Sequence, residues 1–283
     1  MTQGQTSKTY LSSVWPNADS LVSLFSSGRI AIASTLSGAV QHADIIQEQG
    51  PEDRAFKQDI WAQVEPLAKL DALFWSSTSG IPATVQAEKL HDKNRVIVVH
   101  PYNPPHIMPL LEIVPTPIVA EGGSDTLVRT LGYWETLGRS PVVIKKEVPG
   151  FVANRLAFVL FREAAYLADL GVASPADIDR IVEQSLGPRW AVRGPFWSYH
   201  AGGGPSQGLE YFFDKIGATI QECWDDVGVI NLRKKGDVST IQSWEDKLCR
   251  DVEEVYGTLG TQELATRDGK LTRVLEVNKS PSV

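Results

Sequence analysis

An alternation that stops halfway restricts this chain more than any other feature. Short apolar runs and helix-patterned segments follow one another from Arg29 to Ile144, and beyond Pro149-Gly150 the strand-like runs cease. Arg29 to Ala33 is a candidate strand after a glycine, and Ala43 to Gln47 (ADIIQ) is another, ahead of the breaker Gly50-Pro51. From Glu52 to Lys69 the apolar positions Ala55, Phe56, Ile60, Trp61, Val64, Leu67 and Ala68 recur with the spacing of an amphipathic helix. Asp71 to Trp75 (DALFW) reads as a buried strand closed by the polar turn Ser76 to Gly80, and Ala83 to Leu90 as a short helix. Val96 to Val99 is the next strand, capped by His100-Pro101. Leu110 to Val114 follows a Pro-rich turn, Asp125 to Leu137 is a helix, and Pro141 to Ile144 is the last strand. This pattern predicts an α/β domain with a mainly parallel sheet covered on both faces.

The second half predicts helices only. Phe151 to Leu170 is apolar on most faces (Phe151, Val152, Leu156, Val159, Leu160, Ala164, Ala165, Leu167), which predicts a buried helix ended by Gly171. Ser174-Pro175-Ala176-Asp177 starts another, with Ser as N-cap and Pro at the first position. Leu209 to Trp224 and Ile241 to Tyr256 have helical patterns, and the polar tail from Gly257 is expected to be loosely held. Two domains are expected, 1–148 around the sheet and 149–283 helical.

Composition narrows the function classes. The 283 residues allow one large domain or two modest ones. Hydrophobic residues at 42% and charged residues at 22% are values of a soluble globular protein. A formal net charge of -7 with no basic run argues against nucleic acid as a partner. Cys223 and Cys249 belong to no CxxC or Cys/His cluster, so neither a disulfide scaffold nor a metal site is expected, and a reducing cytoplasm suits the chain. No run reaches the apolar length of a membrane span. The start MTQGQTSKTY lacks the apolar core of a secretory signal, and the end KSPSV is neither a prenylation box nor a peroxisomal signal.

Three segments place reactive side chains directly after buried strands, where ligands bind in open α/β sheets. They are Ser76 to Gly80 (SSTSG), His100 to His106 (HPYNPPH) with Met108 to Glu112 beyond it, and Val148 to Arg155 (VPGFVANR). The order SSTSG, HPYNPP, LLEIV, PGFVANR resembles the 3-hydroxyacyl-CoA dehydrogenase superfamily. HPYNPPH and LGPRWAVRGPFWSYHAGG (Leu186 to Gly203) favour its lambda-crystallin group, which includes L-gulonate 3-dehydrogenase, and the L-carnitine dehydrogenase relatives. The spacings agree as well: Ser79 to His100 is 21 residues and His100 to Glu112 is 12. The resemblance runs from about Leu36 to about Phe213. It implies a Rossmann-type domain followed by an all-α, 6-phosphogluconate-dehydrogenase-like domain, NAD as cofactor, a small hydroxy acid or acyl substrate, and a homodimer.

Oxidation of a secondary alcohol needs a base for the hydroxyl proton, and His titrates nearest working pH. The resemblance gives that role to His100. It makes Glu112 the carboxylate that orients the ring, with Ser79 and Asn154 as hydrogen-bond partners of the substrate oxygen. Each has a plainer alternative: Ser79 or Asn154 as a helix cap, Glu112 as a strand-edge carboxylate. His42, His91, His106 and His200 lack such neighbours and are read as structural or surface residues.

The family fold opens on a strand and a Gly-rich turn, with the cofactor pyrophosphate on a helix N-terminus. No GxGxxG occurs in this sequence, and Gly202-Gly203-Gly204 is read as a loop. Nor does the acidic residue that holds the adenosine ribose have a counterpart. The first βαβ unit, about 30 residues, is therefore expected to be missing, with exposed sheet edges and weak cofactor affinity as consequences. Glu52, Lys57, Ser79 and Asn103 match family positions at the nicotinamide and its ribose. The alternatives are a helix-start charge for Glu52 and a solvated helix face for Lys57. A free substrate carboxylate calls for an Arg, and Arg189 matches the family residue, with an ordinary surface salt bridge as the alternative. Arg155 and Arg193 are weaker candidates. Trp190, Phe196, Trp197 and Tyr199 either line the pocket or pack the second domain or a subunit contact. The functional expectation is an NAD-dependent dehydrogenase. The alternatives are a tailoring dehydrogenase of polyketide or other secondary metabolism and a non-catalytic, crystallin-like relative.

Overall fold

The computed structural model describes residues 21–121, 124–204, 206–232 and 243–279. The terminal segments 1–20 and 280–283, and Ile241, whose roles were read from sequence, lie outside them. The chain divides into two compact units, Met1–Arg155 and Leu156–Val283.

In the first unit α1 (Leu21–Ser26) and α2 (Leu36–Val40) precede β1 (Ile45–Glu48). Then come α3 (Arg54–Val64), β2 (Leu73–Ser76), α4 (Ala83–Gln86) with a 3-10 turn (Ala87–Lys89), and β3 (Val96–Pro101). The unit continues through β4 (Leu110–Val114), α5 (Pro117–Glu121), α6 (Asp125–Thr136) and β5 (Ser140–Val143). The five strands lie in the order β1-β2-β3-β4-β5. All neighbours are parallel except β3 and β4, which run antiparallel. Residues 102–109 are too few for a crossover helix, so the chain must reverse there.

The run Val96-Ile97-Val98-Val99 does not alternate because both faces of β3 are covered. Val96, Val98 and Phe74 pack on one face with Trp61 and Val64 of α3 and Ala83 of α4. Ile97, Val99, Leu73 and Trp75 pack on the other with Leu127 of α6. Trp61 stacks on Phe74 with centroids 5.0 Å apart, a contact worth about 0.5–1.5 kcal/mol beyond its buried area. Proline and capping residues set the boundaries. Asp53 caps α3 by accepting from Phe56 N at 2.8 Å. Pro66 lacks the N–H that a longer helix needs, so α3 stops at Val64 rather than reaching Lys69.

Two expectations for this unit change. Arg29 to Ala33 is not a strand, and Ile32 is exposed. Gly28 takes a left-handed φ of 71°, and Ile30 N donates back to Leu24 O, so these residues close α1. Ser79 does not cap the helix after it. Pro82 holds the cap position, and Glu147 supplies the carboxylate that accepts from Thr84 N at 2.9 Å and Thr84 Oγ1 at 2.6 Å.

All described elements of the second unit are helical. They are α7 (Ala153–Asp169, which starts in the first unit), α8 (Pro175–Gln184), α9 (Leu186–Val192), α10 (Pro195–Gly202), α11 (Gly208–Asp226), α12 (Trp244–Tyr256) and α13 (Thr261–Lys279). Gly171 follows α7 at φ 72°, and Ser174 caps α8 with Pro175 at its first turn, as the pattern predicts. The expected burial of α7 is not found: Leu156, Phe158, Val159 and Phe161 are exposed, and only Ala165 and Ala168 are buried. An all-round apolar helix needs cover on every side, and the described residues cover one side only. The tail forms α13 up to Lys279, started by Glu263 accepting from Gly260 N at 2.9 Å, and its described side chains are nearly all exposed. Its polar surface hides the helical period that burial would have marked. Gly202 ends α10 rather than lying in a loop, with Gly203 as C-cap. No described helix is long and apolar enough to cross a membrane.

Candidate active site

The antiparallel register of β3 and β4 sets His100 directly opposite Glu112. Both are buried, and His100 Nδ1 lies 2.9 Å from Glu112 Oε2. A carboxylate on Nδ1 holds the proton there and leaves Nε2 as the basic nitrogen. The second Glu112 oxygen, Oε1, accepts from Val152 N and Ala153 N, each at 2.9 Å. Glu112 is thus no edge carboxylate but a bridge between the imidazole and the start of α7.

Burial is the largest influence on the Glu112 carboxyl and pushes its pKa up. The hydrogen bond from His100, then those from Ala153 N and Val152 N, and the charge of His100 together outweigh it, so the pKa lies below the ordinary carboxylate value. A depressed folded-state pKa contributes stability above the unfolded value, and that contribution is lost as pH falls through the folded one. Thermal melts of the native chain should therefore lose stability more steeply below about pH 4.3 than those of Glu112→Gln. Parallel pH slopes for the two proteins would refute this role.

A second polar cluster sits where β1 and β2 end. Glu52 Oε1 accepts from Thr78 Oγ1 at 2.5 Å, Ser79 N at 3.1 Å, Gly80 N at 3.1 Å and Ser79 Oγ at 3.3 Å. The SSTSG loop is therefore gathered around one carboxylate, which still leaves 45% of its side chain exposed. Lys57 is not on a solvated face: at 1% exposure, its Nζ lies 2.7 Å from Glu48 Oε2 and 3.7 Å from Glu52 Oε2. Glu48 also accepts from Ser76 Oγ at 2.8 Å and Gly50 N at 2.6 Å. Asn154 does not cap its helix, since its Nδ2 donates to Ser79 O at 3.2 Å.

His100, Glu112, Ser79, Asn154, Glu52 and Lys57 thus share one connected region of the first unit. Asn103 follows β3 and is exposed. Arg189 is exposed on α9 in the second unit. Trp190, Phe196, Trp197 and Tyr199 are exposed as well, with Tyr199 resting on Phe212 at 5.2 Å. Sequence reasoning missed Glu48, Glu147 and Phe151. Glu48 and Glu147 had a visible signal as carboxylates at or shortly after strand ends. For Phe151 the signal is its place after Pro149-Gly150.

A mostly parallel sheet with polar groups at its strand ends is an architecture on which dinucleotide-dependent dehydrogenases, among other proteins, are built. Comparison with known proteins narrows this class: residues 23–148 match the 3-hydroxyacyl-CoA dehydrogenase NAD binding domain, and residues 150–225 match the 3-hydroxyacyl-CoA dehydrogenase C-terminal domain. The chain belongs to the 3-hydroxyacyl-CoA dehydrogenase family. It is 37% identical over 199 residues to an L-carnitine dehydrogenase of Burkholderia mallei, covering 70% of this chain and 61% of that one. It is 36% identical over 195 residues to a 3-hydroxyacyl-CoA dehydrogenase of Gibberella moniliformis, covering 68% and 59%. The chain therefore spans about three-fifths of the length of these relatives. A solved NAD+-dependent dismutase, 5-formyl-3-hydroxy-2-methylpyridine 4-carboxylic acid 5-dehydrogenase, superposes with a TM-score of 0.65 at 25% identity, covering 98% of this chain and 85% of that one.

The residues present fit the nicotinamide end of NAD. Glu52 keeps an exposed carboxylate face suited to ribose hydroxyls, beside the Ser79 loop. The GxGxxG motif of pyrophosphate binding does not occur in the sequence.

Proposed function

We propose that the chain oxidises, or in reverse reduces, the 3-position of a 3-hydroxy acid or 3-hydroxyacyl substrate, with His100 as general base in one direction and general acid in the other. The observation that carries this is the buried 2.9 Å contact between His100 Nδ1 and Glu112 Oε2. Nε2 of His100 takes the hydroxyl proton, and Glu112 stabilises the imidazolium that results. Ser79 Oγ, turned from its 3.3 Å contact with Glu52, and the second N–H of Asn154 Nδ2 donate to the substrate oxygen as charge develops on it. When bound, NAD supplies the hydride acceptor. Glu52, Ser79 and Asn103 would hold its nicotinamide end, and Lys57, buried behind Glu52, acts by fixing that carboxylate. Arg189 is the proposed partner of a substrate carboxylate. Relatives named L-carnitine dehydrogenase and 3-hydroxyacyl-CoA dehydrogenase support the substrate class. The exposed apolar side chains of α7 support pairing of two copies, and the composition supports a cytoplasmic setting.

A non-catalytic role is the second reading, favoured by Glu52 Oε1, which already accepts from four donors of the chain itself. Titration of the protein into NADH, followed by nicotinamide fluorescence, separates the two. A saturable enhancement, together with NADH formation from a 3-hydroxy acid, is the expected result. No fluorescence change at any protein concentration would instead support the non-catalytic reading.

A further inference from the structure

Among the described residues, one non-glycine residue has a positive φ: Phe151, at 53°. Bulky side chains avoid this left-handed region because Cβ crowds the following carbonyl oxygen. A glycine would adopt it freely, so a phenylalanine here needs a reason that lies in its ring. The ring is fully buried. It sits in the core cluster with Phe74, Val98 and Val114 and lies 5.5 Å from the imidazole of His100, tilted by 54°.

The local sequence shapes this conformation. In Val148-Pro149-Gly150-Phe151, Phe151 N donates to Val148 O at 3.1 Å, and Gly150 takes φ 73°. Proline second and a positive-φ glycine third are the marks of a type II turn. The left-handed Phe151 then redirects the chain once more. The next two N–H groups, of Val152 and Ala153, converge on Glu112 Oε1, and Asn154 reaches Ser79 O. Successive N–H groups at a helix start lack partners in the helix and make an anion site. Here the anion it holds is the carboxylate that orients His100.

We infer that Phe151 is a positioning residue: its buried ring holds the backbone in the left-handed region, which aims two N–H groups at Glu112 and so fixes the His100–Glu112 pair. This inference rests on the proposed role of that pair. A strained backbone persists only where its surroundings over-determine it, and the ring provides that constraint. Without it, the segment relaxes to negative φ and the two N–H groups leave Glu112. The carboxylate then loses donors that lower its pKa and gains freedom to turn away from the imidazole.

The test uses the full chain, with the carboxyl carbon of Glu112 followed by NMR through an acid titration and assigned by its loss in Glu112→Gln. In Phe151→Ala the proton affinity of Glu112 should rise, by a factor on the order of ten. Phe74→Leu is the control: it alters a ring of the same cluster that stacks on Trp61, and it should weaken the fold while leaving the Glu112 titration unmoved. An unchanged titration in Phe151→Ala, or an equal rise in Phe74→Leu, overturns the inference. Should Phe151→Ala fail to fold, Phe151→Leu keeps an apolar body and should give an intermediate rise; a native titration there is equally fatal. Because the proton on Glu112 is read directly, the outcome stands even if the chain turns over no substrate. Where turnover is measured, kcat should fall with the KM for NAD unchanged.

Discussion

Replacing His100 by glutamine is expected to lower kcat by a hundred- to ten-thousandfold, the range that a positioned acid–base group contributes. Glutamine keeps an N–H able to donate to Glu112 but cannot accept and return a proton. The fold should therefore survive, and the thermal midpoint and NAD affinity should stay near native values. Glu112 holds Nδ1 at 2.9 Å in a buried setting, so the imidazole has one defined orientation and one basic nitrogen to offer. Steady-state kinetics on a 3-hydroxy acid, with circular dichroism as the check on folding, decides the matter. Native kcat in the glutamine variant would remove His100 from the chemistry.

Lys57→Met should produce the largest loss of stability. Lys57 Nζ, 1% exposed, faces Glu48 at 2.7 Å and Glu52 at 3.7 Å. Removing one partner of a buried pair leaves the other charge without compensation, at a cost of about 3–5 kcal/mol. For a protein of this size each kcal/mol moves the midpoint by roughly 2–4 °C, so the melt should shift by about 10 °C. Glu48→Gln/Lys57→Met, which removes both charges, should recover much of the loss, since an apolar replacement of a buried pair is often near neutral. A single variant within about 1 kcal/mol of native would mean that the pair is solvated or replaceable.

Much of the first unit is legible along the chain because prolines and glycines punctuate it. Leu110–Val114 is bounded as expected because Pro109 and Pro115 flank it. Arg29 to Ala33 has a strand's composition but, among the described residues, no strand beside it, and a strand is defined by its ladder. The apolar pattern of α7 revealed faces that need cover, but a pattern cannot say what covers them.

The candidate site divides in the same way. Residue types after buried strands marked the segments that hold Ser79, His100 and Asn154, and the family resemblance singled out those residues with Glu112 and Glu52. The ladder decided that His100 and Glu112 stand opposite one another, since a shift of one residue would have turned them to opposite faces. Local sequence alone determined the order of elements, the turns and caps, and which groups were available for chemistry. Only the tertiary structure decided that Lys57 is buried against Glu48, that Phe151 is held left-handed, and that Asn154 reaches Ser79. Those depend on how the chain packs: Asn154 and Phe151 meet residues more than 70 positions away, and Lys57 is sealed in by the sheet and helices around it.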